Sequence, residues 1–102
     1  MKLIIHSVNI DARESLKEYA EAKFKKLEQY YDKIISIDVY FKSENSSEKQ
    51  HSKTVEVEVA VPGENIIVKK IGQSFNECVD LTLDTLKRQI IKKKEKERTF
   101  KP

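Results

Sequence analysis

The residues best suited to chemistry lie near the C-terminus. In "KRQIIKKKEKER", from Lys87 to Arg98, seven basic side chains stand against two acidic ones, Glu95 and Glu97. Cations three and four residues apart are neighbours on a helix, where they follow a phosphate backbone and gain from released counterions. Arg88 adds a planar fork of donors that matches phosphate oxygens. On a helical wheel Arg88, Lys92 and Lys96 share one flank with Gln89, while Lys87, Lys94 and Arg98 run down the opposite side. A second set, Lys23, Lys26 and Lys33 with Tyr30, lies along one flank of an earlier apolar stripe. The competing reading is structural. Lysines at a helix end complement the macrodipole, and their stems reach across the margin of an apolar face.

Catalysis has little to stand on. Candidate nucleophiles and bases are Cys78, His6 and His51. Cys78 falls at the edge of an apolar helix face and reads as a small core residue. His6 belongs to a strand and His51 to a polar loop, without metal-ligand spacing. Gly63 and Gly72 sit in a turn and before a helix cap, so no glycine loop cradles a phosphate. Carboxylates stand mostly among lysines, where surface pairing explains them. No catalytic residue, metal ligand, cofactor or small-molecule substrate is expected.

Composition bounds the class. The chain has 102 residues, 38% of them hydrophobic and 36% charged, with a net charge of only +3. That suits one patterned domain rather than a disordered chain. A lone cysteine fits a reducing cytosol. The opening "MKLIIHSVNIDARE" meets charge too soon for a signal peptide, and no apolar run approaches the roughly 18 residues of a membrane span. The expectation is a cytoplasmic domain over residues 1–98 with a frayed tail at 99–102 and no membrane partner. Its acidic residues spread from position 11, while the last twenty residues are strongly cationic, an asymmetry that points to an acidic partner such as nucleic acid.

The elements that must position these cations are legible from period. Residues 2–10 read as a strand, with Leu3 and Ile5 on one side and Ile4 and Val8 on the other. Asp11 and Glu14 have capping-box spacing, and Leu16, Tyr19/Ala20, Phe24, Leu27, Tyr30/Tyr31 and Ile34 form one stripe over five helical turns. Residues 34–43 alternate, with Ile35, Ile37, Val39 and Phe41 facing one way, and residues 53–62 repeat the pattern through Val55, Val57, Val59 and Val61. Residues 43–52 between them read as a mobile polar loop. Pro62-Gly63 signals a type II turn into a fourth strand. Ser74 and Glu77 form a second capping box, opening a helix whose apolar face is Phe75, Val79, Leu83, Leu86 and Ile90. The order β-α-β-β-β-α predicts a two-layer α+β domain: a four-stranded sheet with two helices packed on one face. Phe24, Leu27, Val57, Val59, Leu83 and Leu86 are the expected core. The first strand–helix–strand unit should cross right-handedly, leaving strands one and two parallel or neighbouring.

The open sheet face carries Asp38, Glu56 and Glu58, which repel phosphate, and Tyr40 as its aromatic residue. It therefore lacks the stacking platform of an RNA-recognition motif, and the helices are left to meet RNA. The αβββα portion is similar to a double-stranded-RNA-binding domain.

The segments "AKFKKLEQYYDKI" (22–34) and "FNECVDLTLDTLKRQIIKKKEK" (75–96), with the β-α-β-β-β-α order, resemble the ribosome hibernation-promoting factors. That family includes the ribosome-associated inhibitor of translation, also called protein Y or sigma-54 modulation protein. The resemblance covers about residues 1 to 97 and fits the short type, without the linker and dimerisation domain of longer relatives. It implies binding to the small ribosomal subunit and its rRNA, where the factor sterically blocks the mRNA and A- and P-site tRNA channel. It also implies no chemical change and no cofactor, and the isolated protein is expected to be monomeric. Carried over by position, Lys23, Lys26, Arg88 and Lys92 match basic family positions, and Lys94 and Lys96 continue the pattern. Relatives often carry lysine where this chain has Thr85, which implies that one phosphate contact is either missing or shifted to Lys87. Their Asp-Met-Tyr helix opening is here Ser74-Phe75-Asn76, without the aromatic ring at the third position. Two other functions remain open: a general double-stranded-RNA-binding module, and a protein-interaction domain acting on a transcription factor, as the sigma-54 name suggests.

Overall fold

The computed structural model describes residues 1–8, 10–45 and 51–99. The chain runs β1 (Lys2–Val8), α1 (Glu14–Lys25), a 3₁₀ turn (Lys26–Gln29), β2 (Ser36–Asn45), β3 (His51–Val61), β4 (Glu64–Gly72) and α2 (Phe75–Thr99). The strands form one sheet in the order β1-β2-β3-β4. β1 lies parallel to β2, with Ile5 opposite Val39, as a strand–helix–strand crossover requires. β2–β3 and β3–β4 are antiparallel, with Val39 opposite Val57 and Val57 opposite Val68.

Strict alternation fixes which face is buried. Ile37, Val39, Phe41, Val55, Val57 and Val59 are fully buried on the sheet side, and Ala20, Phe24, Leu27, Val79, Leu86 and Ile90 meet them from the helices. Phe41 and Phe75 meet edge to face, with centroids 5.3 Å apart. The expected core is observed except for Leu83, which is half-buried at its edge. The α2 stripe is rotated slightly from its expected line, because Cys78 and Thr82 are fully buried. Thr82 tolerates this by donating its hydroxyl to the backbone carbonyl of Val79 at 2.8 Å or Cys78 at 2.9 Å.

Several boundaries differ from the sequence expectation. The Asp11–Glu14 capping box does not form: α1 begins at Glu14 with Arg13 as N-cap, and no side chain caps it. The helix does not hold five α-turns, because it tightens into the 3₁₀ turn at Lys26. This lets the chain close onto the sheet with Leu27, Tyr31 and Ile34 still buried. Ile35 precedes β2 and is exposed, while its amide donates to the Ala60 carbonyl. The 43–52 loop is shorter than expected, since β2 and β3 pair as far as Asn45 and His51. Backbone pairing extends past the apolar pattern, so periodicity could not mark its end. Residues 46–50 lie outside the described set, as do 100–102 of the expected tail, while α2 continues helical to Thr99.

The second cap does form. Ser74 Oγ accepts the Glu77 amide at 3.1 Å, opening the helix that carries the C-terminal cations. Ser74→Ala should cost about 1 kcal/mol, lowering the melting temperature by roughly 5 °C in a calorimetric scan. Gly63 sits at φ +86°, as the second central residue of a type II turn demands.

Candidate nucleic-acid interface

The helices present their cations in two groups. Between α1 and α2 a cleft of about 250 Å³ is lined by Lys23, Lys26, Tyr30, Asp80, Leu83, Asp84 and Lys87. Lys23 Nζ lies 5.3 Å from the centroid of the Tyr19 ring, and Lys87 Nζ 4.9 Å from that of Tyr30. Each ammonium thus rests on an aromatic face that orients it while leaving its donors to solvent. The Tyr19 hydroxyl donates to Asp80 Oδ1 at 2.7 Å and ties the two helices together. That bond to Asp80, together with burial, raises the tyrosine's pKa.

The second group belongs to α2 alone. Lys92 and Lys96 line a cleft of about 530 Å³ against β4, beside Gln89, Lys93, Glu64, Ile66 and Glu97. Arg88 stands out from the helix with its side chain 72% exposed, near Asp84 at 3.9 Å and Thr85 Oγ1 at 3.4 Å. An ion pair this exposed is worth little and exchanges readily for a phosphate. Lys94 is exposed as well, two turns beyond Lys87 on the same flank.

Of the residues singled out in the sequence, Lys23, Lys26 and Lys87 come together in the inter-helical cleft, while Lys92 and Lys96 share the other. Arg88 and Lys94 stand on the exposed surface of α2. Lys33 does not join either cleft; its Nζ lies 3.7 Å from Glu97 Oε2. Sequence reasoning missed Asp80 and Asp84, which place carboxylates within the cationic cleft. Their spacing from one another is visible in the sequence, but their approach to α1 is a tertiary fact. Tyr31 is buried as its place in the apolar stripe predicts, but the bond its hydroxyl donates to Glu97 Oε1 at 2.7 Å was not foreseen.

The open sheet face is chemically different. His6 Nε2 and Asp38 Oδ1 are 3.0 Å apart, and the His6 ring stacks on Tyr40 at 4.4 Å between centroids. Lys42 pairs with Glu56 at 2.9 Å, and Asn65 donates to Glu58 at 2.8 Å. The three carboxylates expected there are thus engaged in local bonds. Cys78 is fully buried, and desolvation pushes its thiol pKa up, the opposite of what a nucleophile needs. Among the described residues no group of three or more histidine, cysteine or acidic side chains is placed to hold a metal, and no helix is long and apolar enough to cross a membrane.

Two linked groups predict a pH dependence. Burial and the Glu97 hydrogen bond push the Tyr31 hydroxyl up to about 12. From the ordinary tyrosine value of 10.0 up to that point the folded form keeps a proton the unfolded form loses. The contribution of this group to stability is complete below the lower value and declines as pH rises through the window. Chemical denaturation across alkaline pH should show that decline, and Tyr31→Phe should flatten it. Glu97 shifts the other way: its bond from Tyr31, with Lys33 and Lys93, lowers its pKa. Its contribution is present above the ordinary carboxylate range and is lost as pH falls through the depressed value.

Comparison with known proteins identifies the lineage. The sequence pattern of the family described as sigma 54 modulation protein / S30EA ribosomal protein matches residues 3–98. A ribosome hibernation promoting factor of Escherichia coli K12 is 35% identical over 96 residues, covering 94% of this chain and 96% of the relative. One from Azotobacter vinelandii is 30% identical over 97 residues, covering 95% and 86%. A ribosomal subunit interface protein from Coxiella burnetii superposes with a TM-score of 0.79 at 25% identity, covering 93% of this chain and 99% of that one. The protein Y N-terminal domain of Thermus thermophilus shares the fold, with a TM-score of 0.77 at 19% identity and coverage of 90% and 98%. The chain belongs to the sigma 54 modulation protein / S30EA ribosomal protein family.

Proposed function

We propose that this protein is a ribosome hibernation factor of the cytoplasm. It binds the small ribosomal subunit through the cationic faces of its two helices and, without chemical change, occupies the path of mRNA and of A- and P-site tRNA. The observation that carries the reading is the gathering of cations on the two helices. Lys23, Lys26 and Lys87 gather between the helices and Arg88, Lys92, Lys94 and Lys96 extend along α2, while the carboxylates of the open sheet face lie on the other side of the domain. Phosphate contacts from such rows supply affinity without base readout, which suits a folded RNA recognised by shape. Lys33 contributes at the margin of this face. The names of the relatives, hibernation factors and a subunit interface protein, support the ribosome as the partner. The isolated protein acts as a monomer and needs no cofactor.

Co-sedimentation with purified small subunits, run beside gel shifts on a plain RNA duplex, tests this reading. Binding to subunits with little binding to duplex is expected. Equal affinity for both would make the protein a general double-stranded-RNA-binding module, and capture of a protein partner from ribosome-free lysate without subunit binding would make it an interaction domain.

A further inference from the structure

Among the described side chains Ile90 is the last buried core residue of α2, yet the helix continues for another nine residues to Thr99. The described contacts that hold these turns are polar. Tyr31, only 2% exposed, donates its hydroxyl to Glu97 Oε1 at 2.7 Å. Lys93 Nζ lies between Glu64 Oε2 at 3.1 Å and Glu97 Oε1 at 3.7 Å, with its side chain 16% exposed. Lys33 Nζ approaches Glu97 Oε2 at 3.7 Å. One carboxylate therefore gathers bonds from the connection before β2 and from α2, and reaches the start of β4 through Lys93.

We propose that Glu97 is a positioning residue for RNA binding: by accepting Tyr31 and pairing with Lys33 and Lys93, it docks the last turns of α2 so that Lys92 and Lys96 stay beside Arg88. The inference rests on the reading of α2 as the RNA face. A helix end without tertiary contacts frays, and a frayed lysine must be ordered again at each phosphate it meets. Tyr31 makes the tie directional, because a buried hydroxyl that lost its acceptor would be left unsatisfied.

Charge alone argues against Glu97, which is what makes the inference testable. It is an acid within a cationic run, and Glu97→Ala raises the net charge by one. If electrostatics were its only effect, its removal would tighten RNA binding. Docking predicts the reverse.

The test compares Glu97→Ala, Glu97→Gln and Tyr31→Phe with Glu28→Ala, which removes the same charge from the exposed side of the 3₁₀ turn. Co-sedimentation with small subunits is measured across salt concentrations, and amide exchange is followed over residues 91–99. Loss of one phosphate contact predicts roughly five- to tenfold weaker binding of Glu97→Ala at 0.1 M salt, with a salt slope shallower by about one. Tyr31→Phe should weaken binding without changing charge, and Glu97→Gln, which keeps an acceptor for Tyr31, should recover part of the loss. Exchange over 91–99 should quicken in Glu97→Ala and Tyr31→Phe but not in Glu28→Ala. Binding of Glu97→Ala equal to or tighter than wild type, or unchanged exchange, would overturn the proposal. Failure of the wild-type protein to bind subunits would instead overturn the RNA-face reading, and the exchange data would still decide whether Glu97 docks the helix end.

Discussion

Reversing Arg88 and Lys92 to glutamate should abolish co-sedimentation with the small subunit while leaving the protein folded. Both side chains are on the exposed surface of α2, and neither belongs to the buried stripe of Val79, Leu86 and Ile90. Losing two cations and adding two anions changes the interface by four charges. At 0.1 M salt, about 0.9 logarithmic units per charge gives a loss of roughly 10³- to 10⁴-fold. The stability effect should be small, since the ion pair given up is the exposed Arg88–Asp84 contact at 3.9 Å. Calorimetry on the same preparation separates lost binding from lost structure. Unchanged co-sedimentation would move the RNA-binding face away from α2.

Phe24→Ala should produce the largest loss of stability. Phe24 is fully buried and anchors α1 immediately before the helix tightens at Lys26. Removing a buried phenylalanine ring costs about 3–5 kcal/mol, against a total near 5–15 kcal/mol for a domain. The melting temperature should fall by roughly 15 °C or more. The site is expected to suffer with the fold, because Lys23 and Lys26 flank Phe24 on the helix it anchors. A melting point within a few degrees of wild type would show that α1 is not held by this core.

The parts of this molecule that are periodic were legible in its sequence. Val55, Val57 and Val59 alternate with polar residues, and Ser74 with Glu77 marks a helix start, so the elements and their buried faces followed directly. Local rules failed where tertiary packing overrode them. Asp11 and Glu14 have the spacing of a cap that does not form, and the stripe from Leu16 to Ile34 hides the change to a tighter helix at Lys26. The candidate site was legible as a list of cations but not as an arrangement. Sequence alone placed Lys23 with Lys26, and Arg88 with Lys92. It could not place Lys87 over the Tyr30 ring, Asp80 on Tyr19, or Glu97 on a tyrosine 66 positions earlier. Those pairings depend on how α1 and α2 dock, which residue spacing within one helix does not encode.

The central claim is that cationic helix faces hold the small subunit through its phosphates. Its most direct test is the affinity of the wild-type protein for purified small subunits between 50 and 200 mM salt. About six phosphate contacts predict a loss of roughly 10³-fold over that range, linear in the logarithm of salt concentration. Binding that is absent, or that stays constant across the range, would contradict it.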